Sequence, residues 1–177
     1  VIVRASTETD VPVIAEFYRA SVLVEAASWE YAPPSVEDFA KRRSAIVAAG
    51  FPYLVADVDG RPVGYTYASS YRSRIGYRFT VEDSVYVDPA MKGRGIGRVL
   101  LSALIDACTA QGFRHMVAVI GDSANVASIK LHEACGFRAI GVFPGIGYKF
   151  DRWFDSVQMW RPLAEGAMGQ PAREPLP

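Results

Sequence analysis

A chain of 177 residues carries 19 basic and 19 acidic side chains, and half of it is hydrophobic. That length suits one domain with a real core, and the apolar share excludes a disordered chain. Balanced charge gives no global attraction to nucleic acid or to an anionic membrane, and two histidines are too few for a histidine metal cage.

In chain order, Val1–Ala5 reads as a short strand. Thr9-Asp10 and Pro12 announce a helix with Val13, Ile14, Phe17, Tyr18 and Ser21 on one face. Residues Val24–Pro34 form a loop carrying Trp29, Glu30 and Tyr31, and a capping-box pattern at Ser35 and Asp38 opens a second helix that Gly50 ends. Tyr53–Val58 and Pro62–Ser70 flank Asp59-Gly60, the signature of a tight hairpin. A polar loop from Tyr71 to Gly76 leads into a strand over Arg78–Val87, which stops at Asp88-Pro89. Ile96, Val99, Leu100, Ala103, Leu104, Ala107 and Cys108 share one face of a helix that starts near Gly95 and closes at Gly112.

A strand at His115–Ile120 and a short helix at Val126–Cys135, capped by Gly136, come next. Strands at Phe137–Phe143 and Ser156–Arg161 follow, with a Pro/Gly turn and an aromatic-rich segment between them. From Ala164 the composition shifts to Ala, Gly, Pro, Glu and Gln, so the expected organisation is one domain over 1–163 and a flexible tail over 164–177. Cys108 and Cys135 lie on apolar helical faces without metal-ligand spacing, as buried free thiols of a reducing cytoplasm would. No apolar run approaches a membrane span. The order of elements predicts a mixed α+β sheet.

Between the strand and the amphipathic helix lies Lys92-Gly93-Arg94-Gly95-Ile96-Gly97-Arg98. Glycine admits positive φ and lets backbone N–H groups approach a ligand, and a helix N-terminus adds about half a positive charge. Strand, glycine loop and helix thus form a diphosphate cradle. A dinucleotide G-x-G-x-x-G fails in both registers, at Arg98 and at Leu100, and no Gly-Lys-Ser/Thr occurs for a nucleoside-triphosphate loop.

The pattern [QR]-x-x-G-x-[GA] does fit, with Lys92 in place of its first Gln or Arg, and it resembles the pyrophosphate loop of the GNAT superfamily of N-acetyltransferases. Asn125, Ser128 and Leu131-His132-Glu133-Ala134-Cys135-Gly136-Phe137 resemble a second segment of that superfamily, with His132 where many members carry tyrosine. Thr80 to Val87, Tyr71-Arg72-Ser73-Arg74 and Gly147 to Asp155 resemble its phosphinothricin and methionine sulfoximine N-acetyltransferase branch, over about Val1 to Leu163. The resemblance implies a single-domain, central twisted and mostly antiparallel sheet flanked by helices. It also implies acetyl-CoA as co-substrate, no metal, a small amine as acceptor, and a homodimer that binds neither nucleic acid nor membrane. Tyr148, Lys149, Arg152 and Trp153 would lie near the acceptor pocket or the dimer seam.

The implied roles follow the chemistry. Attack on a thioester needs a neutral amine, and a carboxylate that takes the ammonium proton is worth about 10²–10⁴-fold; Glu82 is the candidate. The cofactor set is Val85, Tyr86, Val87, Lys92, Gly93, Arg94, Gly95, Ile96, Gly97, Arg98, Asn125 and Ser128, with an amide of Val85 or Val87 facing the developing oxyanion. His132 is either the acid that protonates the leaving thiolate or a helix histidine bonded to a carbonyl. Arg72, Ser73, Arg74, Glu82, Asp83 and Ser84 are the acceptor set; the two guanidinium forks suit a carboxylate or phosphinate, or else belong to a soluble loop. Two rival functions stand beside the leading one: acetylation of another amine (amino acid, polyamine or protein N-terminus), and a CoA-binding regulatory domain without turnover.

Overall fold

In a computed structural model the described residues are 1–164 and 168–175. The elements are β1 (Ile2–Ala5), α1 (Val11–Val24), α2 (Val36–Ala48), β2 (Tyr53–Val58), β3 (Arg61–Ser70), β4 (Thr80–Val87), α3 (Ile96–Gln111), β5 (His115–Gly121), α4 (Val126–Ala134), β6 (Arg138–Lys149) and β7 (Arg152–Pro162). Single turns of 3-10 helix stand at Glu8–Asp10, Ile75–Tyr77 and Pro89–Met91.

Local chemistry sets the boundaries. The Ser35 hydroxyl accepts from the Asp38 amide at the start of α2. Asp59 and Gly60, at φ 52° and 83°, make the two-residue turn whose twist matches a hairpin of β2 and β3. Arg4 pairs with both Asp10 and Asp57 at 2.8 Å, tying β1 to the start of α1 and to β2.

All seven strands join in one sheet, in the order β1-β2-β3-β4-β5-β7-β6. Neighbours are antiparallel except β4 and β5, which run parallel and pair only over Thr80–Glu82 with His115–Val117. Beyond those three pairs β4 continues to Val87 and β5 to Gly121 without a shared ladder, so the sheet opens as a cleft. Helices α1 and α2 cover one face, where Ile14, Phe17 and Phe39 meet Tyr53, Val55 and Tyr65. Helix α3 covers the other, with Leu101, Leu104 and Cys108 against Val81, Met116, Ala118 and Met159. The Ile, Leu, Val, Phe and Met side chains among these contribute about 1.5–3 kcal/mol each on full burial. The expected mixed α+β sheet with flanking helices is the observed architecture.

Three local expectations need correction. The strand expected from Arg78 starts at Thr80, because Ile75–Tyr77 is a helical turn whose Ile75 carbonyl accepts from the Arg78 amide. Helix α4 ends one residue earlier than expected, at Ala134. The segment between the last two strands is itself strand: β6 runs to Lys149 and β7 starts at Arg152, joined through Phe150 and Asp151 at φ 51° and 56°. Pro144 and Gly145 sit in a register irregularity between Phe143 and Gly147; β6 is an edge strand, and an edge tolerates proline because the ladder loses no donor there. In the expected tail, Glu174 pairs with Arg78 and Arg173 donates to the Ala110 carbonyl; residues 165–167 and 176–177 lie outside the described residues.

Candidate active site

Alternation along β4 sends its side chains to opposite faces. Val81, Asp83, Val85 and Val87 point toward α3, whereas Glu82, Ser84 and Tyr86 point toward α1, where Tyr86 meets Tyr18 edge-on and stacks on Tyr65. The cleft between β4 and β5 therefore has one chemical wall above the sheet and another below it.

A groove of about 670 Å³ runs from the cleft along the start of α3. Val85, Tyr86, Val87, Lys92, Gly93, Gly95, Ile96, Gly97, Arg98, Asn125 and Ser128 line it, which brings together all of the expected cofactor set except Arg94. Arg94 is exposed beside the groove rather than in its wall. Gly93 and Gly95 both sit at φ 78°, and a Cβ on either would meet nothing within 4 Å. The turn thus presents open backbone rather than a packed surface, next to the N-terminal N–H groups of α3, of which those of Arg98 and Val99 donate to the Gly95 carbonyl. These features fit a diphosphate. Lys92 forms an ion pair with Glu25 at the end of α1.

A second cavity of about 350 Å³ adjoins the groove; Ala27, Val85, Tyr86, Gly121, Asn125 and Ser128 line both. Its own wall holds Tyr18, Ser28, Trp29, Glu30, Glu82, Asp83, Ser84 and His132. Burial pushes the Glu82 carboxyl above the usual range and the Asp83 charge adds to this, while Arg72 works in the opposite direction. Glu30 gives one oxygen to Arg42, and its other oxygen is buried without a hydrogen-bond partner. Three carboxylates, Glu30, Glu82 and Asp83, stand in the wall of this cavity, and Glu30 and Glu82 on its α1 side favour a cationic amine.

His132 lies on the lower wall. Its Nδ1 faces the Ser128 carbonyl at 2.7 Å and its Nε2 faces Asp83 Oδ2 at 3.1 Å. Both ring nitrogens meet acceptors, an arrangement that imidazolium satisfies with two N–H donors. Burial opposes that charge, but the hydrogen bond and charge of Asp83, aided by Ser128, outweigh it and raise the histidine above its ordinary value. Of the two readings left open for His132, the carbonyl bond is present, and so is a carboxylate on the opposite nitrogen.

The acceptor set is split. Glu82 and Ser84 line the second cavity from the α1 side. Asp83 points to the other face, with its side chain 1 % exposed and bonded to His132. Arg72, Ser73 and Arg74 are exposed at the end of β3 and outside the cavity wall. The Arg72 guanidinium lies 5.0 Å from the centre of the Tyr71 ring and acts on Glu82 through its charge. Sequence reasoning passed over Tyr18, Ser28 and Glu30 as lining groups. Gly121 and Gly147, interrupting two strands, were a readable sign of close approach: a Cβ at Gly121 would strike the Ala26 carbonyl, and one at Gly147 the Trp29 ring.

Comparison with known proteins agrees with this geometry. The acetyltransferase (GNAT) domain family matches residues 3–159. The chain is 46% identical over 164 residues to a phosphinothricin N-acetyltransferase of Alcaligenes faecalis, covering 93% of this chain and 83% of that protein. It is 40% identical over 165 residues to an L-methionine sulfoximine/L-methionine sulfone acetyltransferase of Salmonella typhimurium, covering 93% and 96%. The crystal structure of a GNAT superfamily phosphinothricin acetyltransferase from Sinorhizobium meliloti in complex with acetyl-CoA superposes with a TM-score of 0.94 at 46% identity, covering 99% of this chain and 95% of that one. With a cleft in its sheet, a glycine cradle at the start of α3 and a family match over most of its length, the chain belongs to the GNAT acetyltransferases.

Proposed function

We propose that the protein moves the acetyl group of acetyl-CoA to the primary amine of a small amino-acid analogue of the phosphinothricin, methionine sulfoximine or methionine sulfone type, by direct attack. One observation carries the reading: Glu82 and His132 stand on opposite faces of β4 and line the same cavity beside the cleft. Bound acetyl-CoA supplies an activated carbonyl on a thiolate leaving group. Its diphosphate is assigned to the Gly93–Gly97 turn, with Lys92, Arg94 and Arg98 adding positive charge around it.

In this reading Glu82 takes the ammonium proton; burial and the Asp83 charge raise its pKa, which makes it a stronger base than a free carboxylate. The backbone amide of Val85 or Val87, on the strand edge that no longer pairs with β5, supports negative charge on the carbonyl oxygen. The Asp83–His132 pair stores the proton that the departing thiolate takes up; because Nε2 faces Asp83 and Nδ1 faces the Ser128 carbonyl, delivery requires the ring to turn from one of these partners or a water to relay the proton. Asp83 is thus reassigned from acceptor contact to partner of His132. Arg72 and Arg74, with Ser73 and Ser84, hold the acceptor's carboxylate and head-group oxygens at the cavity mouth. A homodimer in the cytoplasm completes the proposal, and β6 supplies its edge: Ile140, Val142, Phe143 and Ile146 are apolar and exposed along it.

Thiol release from acetyl-CoA, measured with phosphinothricin, methionine sulfoximine, methionine sulfone and a panel of neutral primary amines, tests the reading. Preference for the three zwitterions by tenfold or more in kcat/KM supports it. Equal use of the neutral amines overturns the substrate assignment, and no release with any amine overturns turnover itself.

A further inference from the structure

Lys149, at the end of β6, is 2 % exposed and is among the largest fully buried side chains of the protein. A lysine is almost never buried so completely without a paired carboxylate. Here the ammonium instead donates to two backbone carbonyls, Glu25 at 2.9 Å and Ser28 at 2.7 Å, and sits 4.8 Å from the centre of the Phe150 ring. Burial pushes its pKa down. The two carbonyls bracket Ala26 and Ala27, so one side chain closes a short bight of the loop between α1 and α2.

That bight is shared by both cavities. Glu25, Ala26 and Ala27 line the cofactor groove; Ala27, Ser28, Trp29 and Glu30 line the acceptor cavity. Its surroundings are shaped to receive it, since Gly121 of β5 admits the Ala26 carbonyl and Gly147 of β6 admits the Trp29 ring. Tyr31 also donates to the Tyr148 carbonyl. The bight further reaches the glycine turn, because the Glu25 carboxylate holds Lys92.

We propose that Lys149 is a positioning residue for both substrates: its ammonium clips the Glu25–Ser28 bight to the end of β6, and so fixes the wall that cofactor and amine have in common. This rests on the reading of the two cavities as sites for acetyl-CoA and an amine. The side chain touches neither reactant in this proposal. It acts through Ala27, Ser28, Trp29 and Glu30. Packing of the Trp29 ring, the Tyr18–Ser28 hydroxyl contact and the Arg42–Glu30 pair also hold this segment, but the ammonium is the donor that meets the Glu25 and Ser28 carbonyls, which lose it when the lysine is replaced.

The test compares the full-length protein with Lys149→Met, which keeps length but removes charge and donors, and with Lys149→Arg, which keeps both. Amide hydrogen exchange over residues 25–31 is read without any ligand, and acetyl-CoA affinity and the KM of the best amine are read separately. For Lys149→Met the expected result is exchange in 25–31 faster by at least about tenfold, with exchange in β2 and β3 unchanged. The amine KM should rise at least about tenfold and acetyl-CoA should bind more weakly, with kcat changed less than either. Lys149→Arg should recover most of each effect. Unchanged exchange and KM in a folded Lys149→Met protein overturn the proposal, as does a general loss of protection that spares both KM values. Should Lys149→Met not fold, Lys149→Gln carries the test, with intermediate exchange and KM expected and wild-type values refuting. If no amine is turned over, the exchange and acetyl-CoA measurements still decide the role of Lys149, apart from the substrate assignment.

Discussion

Asp83→Asn removes the anion beneath His132 while keeping the shape of the side chain. The pair is 3.1 Å apart, and the two side chains are 5 % and 1 % exposed. Two unit charges at that distance attract by roughly 5 kcal/mol at an effective dielectric of about 20, before desolvation, and breaking a buried pair costs about 3–5 kcal/mol. The asparagine amide keeps one hydrogen bond with Nε2, which returns about 1 kcal/mol. A loss of about 2–4 kcal/mol follows, which for a chain of this size lowers Tm by roughly 5–15 °C. Its pH dependence is the sharper signature. His132 is raised in the folded state above its ordinary 6.5, so the stability it draws from Asp83 is fully present below pH 6.5 and fades as pH rises through the folded value. The gap in Tm between wild type and Asp83→Asn should accordingly be widest below pH 6.5 and narrow in alkali. In turnover, the alkaline limb should move to lower pH as the histidine loses its proton more easily. Thermal denaturation and kcat between pH 5 and 9 measure both. A constant Tm gap across that range, with an unmoved alkaline limb, refutes the charged pair.

Glu82→Gln should cut kcat by about 10²–10⁴-fold and remove the acidic limb of the rate profile, with acetyl-CoA affinity unchanged in a calorimetric titration. Because burial raises Glu82, its ionised form costs stability at neutral pH, so the same variant should melt higher at pH 7 and lose that advantage as pH falls through the folded pKa toward 4.5. Gly95→Val forces a branched residue to φ 78° and projects it into the open turn, so acetyl-CoA affinity should fall at least about tenfold while the circular-dichroism spectrum stays native. Arg72→Ala should raise the KM of a phosphinothricin-like acceptor at least about tenfold and Arg74→Ala by less, since Arg72 is the one whose charge reaches Glu82; the KM for acetyl-CoA is the control, and a matching rise there would point to a general disturbance.

The glycine turn, the hairpin at Asp59-Gly60 and the helix starts were legible because each rests on local backbone chemistry: positive φ, a side-chain cap, a fixed apolar period. The β4/β5 cleft was not, since parallel pairing depends on residues about 35 positions apart and leaves no local mark on either strand. For the same reason alternation identified Glu82 as a strand residue but could not tell which face of the sheet would carry chemistry. Asp83 shows the limit most clearly. As a neighbour of Glu82 it read as part of the acceptor set, and only the arrival of α4 beneath the sheet turns it into the partner of His132. Lys149 entered only through the resemblance, as a residue near the acceptor pocket or the dimer seam; its burial against the Glu25 and Ser28 carbonyls was not legible, because Pro144 and Gly145 look like a chain reversal when the strand's place at the sheet edge is unknown.

The narrow seam between β4 and β5 also bears on how the molecule comes apart. To one side, β1 to β4 are antiparallel neighbours; to the other, β5, β7 and β6 form a second antiparallel set, and the ladder joins the two sets through three residue pairs. Opening there sacrifices few backbone hydrogen bonds, and α3, which packs on both sets, is the main remaining brace. The halves are therefore natural units of cooperative unfolding. A molecule lodged along the seam would act as a splint across it, stabilising the joint itself as well as the groove it fills.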